Sequence, residues 1–329
     1  MTAEFDVLGI GNAIVDVLAP TDDAFLDRED LVKGYMTLID AERAETLYAR
    51  MPAGVEASGG SAANTMAGLA SLGGRAAFVG RVRDDALGQV FAHDIRAIGV
   101  DFATPVATEG PGTARCLVMV TPDAQRTMAT YLGACVGLGP DDVDPVKVAA
   151  ASITYLEGYL WDPENGKAAF RKAIACAHEA GRRVALSLSD AFCVHRFRPE
   201  FMELLSDGGV DILFANETEI SALFETGDFD TALQATRCLG ITAALTRSEK
   251  GSVIVGGDEV HVLDASAPEK LVDTTGAGDL FAAGFLFGLT RDLGLARSAR
   301  LGSLCAAEVI GHYGPRPQVG LAEHVSGKY

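Results

Sequence analysis

From Ser152 onward the chain repeats one pattern: a short apolar run, then a longer stretch with apolar residues every three or four positions. The short runs are Ile153 to Leu156, Val184 to Leu188, Ile212 to Phe214, Ala243 to Leu245 and Val253 to Val255. Unbroken apolar runs of this length predict strands buried on both faces. Helical spacing occupies Glu164 to Ala180, Pro199 to Leu205, Glu217 to Phe224 and Phe229 to Leu239. The alternation predicts an α/β fold, a mainly parallel sheet covered by helices on both faces.

The first half is less regular. Phe5 to Ile10 and Ala76 to Val79 read as further buried strands, and Ser61 to Leu72 and Ala86 to Ile98 as helices. Val17 to Ile39 is mixed and acidic, and only Gly34 to Ile39 alternates like an edge strand. Thr113 to Val120 and Arg126 to Leu132 flank Pro122-Asp123-Ala124-Gln125 as a hairpin. With the stretch from Val15 to Ile39 they are expected to form a small sheet outside the main one. The expected organisation is one domain over residues 1–329, with a β lid from about 15–39 and 104–132 inserted in it. Near the end, Leu280 to Leu289 is apolar on every face and lacks Pro, which predicts a helix inside a large core.

Composition narrows the function. The 329 residues are ample for one large core. A net charge of −18 argues against nucleic acid as a partner, since phosphate binding needs a basic footprint. Any phosphate must therefore be attracted locally, by helix N-termini, a metal ion or a few arginines. No apolar run is long enough to span a membrane. The first residues carry acid where a signal peptide needs base, and the six cysteines are scattered with no Cys-x-x-Cys pair. Both point to free thiols in the cytoplasm. The expected assembly is a monomer or a homodimer.

The chemistry concentrates at Asp273-Thr274-Thr275-Gly276-Ala277-Gly278-Asp279, which delivers a small-residue turn to the N-terminus of the apolar helix. There the first N–H groups lack partners and the macrodipole favours an anion. Gly276 and Gly278 permit close approach of a ligand to the backbone. Asp279 at the mouth of an anion hole suits the removal of a proton from a hydroxyl while the hole holds a phosphoryl group. An N-capping aspartate after a glycine turn would look the same. At the other end, Gly9-Ile10-Gly11 lacks the third glycine of a dinucleotide fingerprint, since Ile14 stands there. Asn12 and Asp16 follow a strand end and suit the vicinal hydroxyls of a sugar; a turn Asn and a solvated Asp are the alternative. Gly59-Gly60-Ser61-Ala62-Ala63-Asn64 is a second small-residue turn before a helix, open either to a ligand or to tight packing. Arg126, at the hairpin's return, is a candidate phosphate clamp. Asn216 and Glu219 form a capping box or hold the waters of a magnesium ion. Thr246-Arg247-Ser248-Glu249-Lys250-Gly251 borders a nucleotide or is a hairpin loop.

Asp273 to Asp279 running into Leu280-Phe281-Ala282-Ala283-Gly284 resembles the C-terminal signature of the ribokinase-like (PfkB) carbohydrate and nucleoside kinases. Gly59 to Asn64 resembles their N-terminal signature, and Asn216-Glu217-Thr218-Glu219 their Asn-x-x-Glu motif. The matches fall in the family's order and span most of the chain. The resemblance implies an α/β/α sandwich with a small β lid, ATP as donor, and Mg2+ held through water by Asn216 and Glu219. It implies Asp279 as base, with Gly276, Ala277 and Gly278 as anion hole. It implies nucleotide contacts from Asn216, Thr246, Ser248, Gly251, Thr275 and Gly278. Ser248 departs from the family's Thr-x-Gly start of that loop. No Walker A sequence is present.

Within the family, Gly11-Asn12-Ala13-Ile14-Val15-Asp16 resembles the ribose-binding start of the adenosine kinases. Arg126 through Ala134, Tyr155 to Tyr159 and Leu186 to Phe192 resemble their segments around the base. Asn12, Asp16, Gly59, Gly60, Asn64, Arg126, Tyr131 and Phe192 are then the implied substrate contacts, with Tyr159 near the base. The expected activity is phosphorylation of a nucleoside hydroxymethyl group, adenosine to AMP. A ribose- or fructose-type sugar kinase is the alternative, and a non-catalytic nucleoside or sugar sensor a remote one.

Overall fold

The structure is a computed structural model that describes residues 3–123 and 125–329. Its main sheet has nine strands: β1 Phe5–Ile10, β5 Ala76–Val79, β6 Asp101–Phe102, β9 Ala151–Glu157, β10 Arg183–Ser187, β11 Ile212–Asn216, β12 Thr242–Thr246, β13 Ser252–Gly256 and β14 Glu259–Leu263. Their order is β14-β13-β12-β11-β10-β9-β1-β5-β6. All pairs from β12 to β6 are parallel; β13 pairs antiparallel with both β12 and β14 and so runs against the rest. Side chains alternate across the sheet, so Val7 and Ile153 enter one apolar core while Leu8 and Leu156 enter the other. Helices cover both cores, which is why these strands read as unbroken apolar runs. This is the ribokinase-like three-layer α/β/α arrangement. Among the described residues, no helix is long and apolar enough to cross a membrane.

The second sheet has five strands, in the order β3-β8-β7-β2-β4: β2 Ile14–Pro20, β3 Met36–Leu38, β4 Val55–Gly59, β7 Ala114–Val120 and β8 Arg126–Tyr131. One of its faces packs Val17, Leu117 and Ala129 against Phe25, Leu26 and Leu47 of the helices Asp23–Arg28 and Ala41–Arg50. The other carries Ile14, Cys116, Val118 and Met128. By strand alternation Asp16 and Arg126 share that second face. β4 lies outside the segments expected for this sheet. It is an edge strand with Val55 and Glu56 exposed, so it has no apolar alternation to read.

Two further elements differ from expectation. The helix expected from Pro199 starts at Ala191, where Asp190 accepts a hydrogen bond from Cys193 N (2.6 Å). Pro199 lies inside it, and the helix kinks at Phe197 (φ −120°, ψ 17°). The helix Leu295–Val309 was not expected; small residues seat it against the helix Ala277–Thr290. A Cβ on Gly284 would come within 2.7 Å of Gly302 Cα. Just before the signature turn, Val272 N and Asp273 N both donate to Ile310 O (2.9 and 3.3 Å).

Candidate active site

The main sheet reverses its order between β1 and β9. The crevice at the carboxyl ends of two such strands is where open α/β sheets bind ligands. β1 ends at Ile10 and leads to Asn12; β9 ends at Glu157. Glu157 is 1% exposed. Its Oε1 accepts from Asn12 N (3.3 Å) and Asn12 Nδ2 (2.8 Å), and its Oε2 accepts from Ala62 N (2.8 Å). The amide nitrogen of Asn12 therefore faces Glu157 rather than open space. Burial, outweighing these donors, pushes Glu157 up to about 7. The glycines before Asn12 are explained by packing. A Cβ on Gly9 would meet Met66 Cγ at 2.8 Å, and one on Gly11 would overlap Glu157 Oε2.

The signature turn closes the crevice. Gly276 is the N-cap of the helix Ala277–Thr290, with φ +78° and ψ 0°. A Cβ there would lie 2.6 Å from Pro315 O, so conformation and space both require glycine. Gly278 is exposed, and nothing lies within 4 Å of where its Cβ would stand. Ala277 N donates to Thr274 O (3.3 Å), so it is at Gly278 that the helix start borders open space. Thr275 is drawn inward: its N and Oγ1 both donate to Asp273 Oδ1 (2.9 and 2.5 Å). Asp273 is fully buried and also accepts from Gly314 N (3.1 Å).

Asp279 points across the crevice at the helix Ser61–Ser71. Ser61 Oγ donates to its Oδ1 (2.7 Å) and Asn64 Nδ2 to its Oδ2 (3.0 Å). Burial raises Asp279 above the ordinary 3.8, against the lowering effect of Ser61, Asn64 and Arg126. A stronger base than a free aspartate results. Arg126 reaches across from β8: its Nε lies 3.4 Å from Asp273 Oδ1, and an Nη donates to Thr274 Oγ1 (3.5 Å). The second sheet therefore touches the signature turn through the expected arginine.

Asp16 is 8% exposed, and among the described residues no hydrogen bond reaches its carboxylate. Burial pushes it to about 7, Arg316 pulls it down, and Asp279 pushes it up. The diglycine packs directly on it. A Cβ on Gly59 would overlap Asp16 Oδ2, and one on Gly60, at φ +92°, would overlap Asn12 O. Close packing with the chain itself requires glycine at both positions. Arg316 and Glu157 were not singled out from the sequence. Arg316 Nε donates to Asn64 Oδ1 (3.3 Å), and its Nη1 donates to Ser58 Oγ. Its neighbours Pro315 and Pro317 give no periodic signal. Glu157 had one: a lone carboxylate ending an otherwise buried strand.

The segments assigned to the nucleotide lie along β11 and β12. Asn216 caps the helix Glu217–Leu223. Its side chain accepts from Glu219 N (2.8 Å), while Glu219 Oε2 accepts from Asn216 N (3.0 Å) and Oε1 from Asn216 Nδ2 (2.5 Å). The capping box is fully formed. Glu219 is nonetheless 6% exposed and raised to about 7 by burial. Thr246 to Gly251 joins the antiparallel β12 and β13 through a single turn over Ser248–Lys250, with Gly251 at φ +84° against Leu263 O. Arg247 lies over the Phe229 ring (4.0 Å) and pairs with Glu217 (3.1 Å).

The aromatics do not converge. Phe192 is 58% exposed, and its ring lies against the Arg196 guanidinium at 4.5 Å, on the surface. It capped no strand end; it begins the helix that Asp190 starts. Tyr131 falls by alternation on the face of Ala129, opposite Arg126. It lines a cleft of about 240 Å³ with Leu38, Ile39, Leu132 and Val136. Tyr159 alone lies within electrostatic range of both Glu219 and Asp279, and burial raises its hydroxyl well above the ordinary 10.

Transfer of a phosphoryl group from ATP to an alcohol is the chemistry of this class of protein, a kinase. The chain belongs to the pfkB family of carbohydrate kinases, which it matches over residues 31–319. It is similar to a solved adenosine kinase from Sinorhizobium meliloti, at 57% identity and a TM-score of 0.94 over 98% of each chain. A solved probable sugar kinase from Rhizobium etli is 50% identical, with a TM-score of 0.95 over 98% of each chain. An ATP-dependent ribose-1-phosphate kinase from Halopiger xanaduensis is 30% identical over 79% of this chain and 83% of its own length. Both adenosine and sugar kinases thus stand among its relatives.

Proposed function

We propose that the chain phosphorylates the 5′-hydroxyl of adenosine, giving AMP. The observation that carries this reading is the 57% identity, over 98% of both chains, to an adenosine kinase. The hydroxymethyl group would take the place of Ser61 or Asn64 as a donor to Asp279. Asp279, raised by burial, accepts its proton as the hydroxyl oxygen bonds to the γ-phosphorus of ATP and the bond from that phosphorus to the bridging oxygen breaks, releasing ADP. The N–H groups at Gly276 to Gly278 receive the developing charge, and Arg126 adds a cation beside Thr274. Asn12, fixed by Glu157 after β1, and Asp16, on the second sheet that acts as a lid, hold the sugar end. Thr246, Ser248 and Gly251 border the nucleotide. Asn216 and Glu219 fit water-mediated contact to Mg2+, because a buried carboxylate held near 7 is readily recharged by a cation. The metal would neutralise phosphate charge; the residues themselves set where it lies. The protein is proposed to act in the cytoplasm.

A second reading, a ribose- or fructose-type sugar kinase, is favoured by one observation. Phe192 and Tyr131 form no paired aromatic wall. For the nucleoside reading the base must be held by residues other than this pair. Comparison of kcat/KM for adenosine, inosine, ribose and fructose separates the two. Adenosine is expected to lead; a free sugar phosphorylated faster would overturn the nucleoside reading and leave the kinase intact.

A further inference from the structure

Two unsatisfied groups face the sugar end of the crevice. The first is Arg316. Its Nε is used by Asn64 and its Nη1 by Ser58, but its Nη2 is buried without any hydrogen-bond partner. The second is the Asp16 carboxylate, 8% exposed and, among the described residues, without a donor. The two charges feel each other strongly, yet no direct ion pair joins them among the described residues. A donor and an acceptor held apart in this way are complementary to a hydroxyl, which accepts from one and donates to the other.

We propose that Arg316 is a specificity-determining residue that, together with Asp16, reads the vicinal hydroxyls of the ribosyl ring. The inference rests on the nucleoside reading given above. A purely structural arginine at this place would need only the two donors already engaged. The third is left over next to the strand that carries Asp16, because Ser58, which accepts from Nη1, lies on β4 opposite Val15. Arg316 further fixes Asn64: by accepting at Oδ1, the Asn64 amide turns its nitrogen toward Asp279. The residue therefore connects the recognition of the ring to the orientation of the base.

The neutral pair selects a neutral diol. An anionic group in this position would meet Asp16 as well as Arg316. A ring lacking the hydroxyl would leave both groups buried and unpaired, which is how a polar site rejects a deoxy analogue.

The test compares adenosine with 2′-deoxyadenosine and 3′-deoxyadenosine on the whole chain. The wild type is expected to disfavour at least one deoxy analogue by roughly 100-fold or more in kcat/KM. Arg316→Gln should lower kcat/KM for adenosine by roughly 10- to 100-fold, the range for a charged hydrogen bond, mainly through KM. It should change that deoxy analogue by less than roughly 3-fold, so the selectivity collapses. Arg316→Lys, which keeps a donor, should recover part of it. Equal losses on all three substrates would reduce Arg316 to a brace for Asn64 and overturn the proposal. Should neither variant fold, calorimetry on the wild type decides: equal affinity for adenosine and both deoxy analogues would also overturn it. If the wild type phosphorylates ribose and not adenosine, the nucleoside reading fails by itself. The same comparison between ribose and 2-deoxyribose then tests Arg316, and equal losses there overturn it.

Discussion

Glu157 gives the sharpest quantitative expectation. Its carboxyl is ordinarily at 4.5 and stands at about 7 in the folded chain, because burial outweighs three N–H donors. A folded-state value above the unfolded one means that the folded state holds the extra proton between those two pH values. Stability contributed by this group is therefore complete below pH 4.5 and is lost as pH rises through about 7. At 1.36 kcal/mol per pH unit the loss is about 3 kcal/mol. Glu157→Gln removes the titration. It also turns an NH2 toward either Ala62 N or Asn12, at a cost of about 1–3 kcal/mol. The variant should be the weaker protein at pH 5 and close to or above the wild type at pH 8. Urea unfolding followed by Trp161, the sole tryptophan and fully buried, reads both proteins at each pH. Asp16 and Glu219, also raised to about 7, are common to both chains. A stability gap that stays constant from pH 5 to 8, or moves the other way, would refute the reasoning.

Asp279→Asn should reduce kcat by at least roughly 100-fold while leaving the calorimetric affinity for adenosine near wild type; an unchanged kcat would end its assignment as base. The base works deprotonated and burial raises it, so the acid limb of kcat/KM should lie above the ordinary 3.8, and a limb at or below that value would contradict the geometry. Glu219→Gln should lower the melting temperature, by a stability loss of about 1 kcal/mol from the capping box, and raise the Mg2+ concentration needed for half-maximal activity. An unchanged Mg2+ titration would leave only the cap. Gly276→Ala, at φ +78° and 2.6 Å from Pro315 O, should destabilise the chain by at least about 1 kcal/mol and depress turnover; wild-type melting and turnover together would show that the turn is not so constrained.

How much of this was legible depends on what holds each element. Strands β9 to β12 are buried on both faces, so their composition alone marks them. β4 is an edge strand whose pairing with β2 from Ile14↔Gly59 to Leu18↔Val55 is made by backbone, and backbone leaves no trace in Val55-Glu56-Ala57-Ser58-Gly59. The helix Leu295–Val309 reads as broken by Arg297, Ser298, Arg300 and Gly302. Its burial depends on smallness, since a Cβ on Gly302 would meet Phe281 O at 2.6 Å. At the site, motif spacing located Asp279, Asn64 and Arg126. It overstated Phe192, because an aromatic that starts a helix can as readily face solvent as a pocket. It missed Arg316, whose role comes from a contact with Asn64 252 positions away, a distance that no local pattern encodes.

That separation also has a meaning in time. Gly314 and Pro315 support the signature turn, and Arg316 completes the wall behind Asn64. At the usual pace of translation, 252 residues take roughly 10–50 s to make. A growing chain has made every strand of both sheets by Leu263, yet the wall behind Asn64 is still missing until Arg316 is added. A chain that stops short of residue 314 therefore lacks the hydrogen bonds that hold Asp273 Oδ2 and Asn64 Oδ1, because the last wall arrives only after nearly everything it leans on.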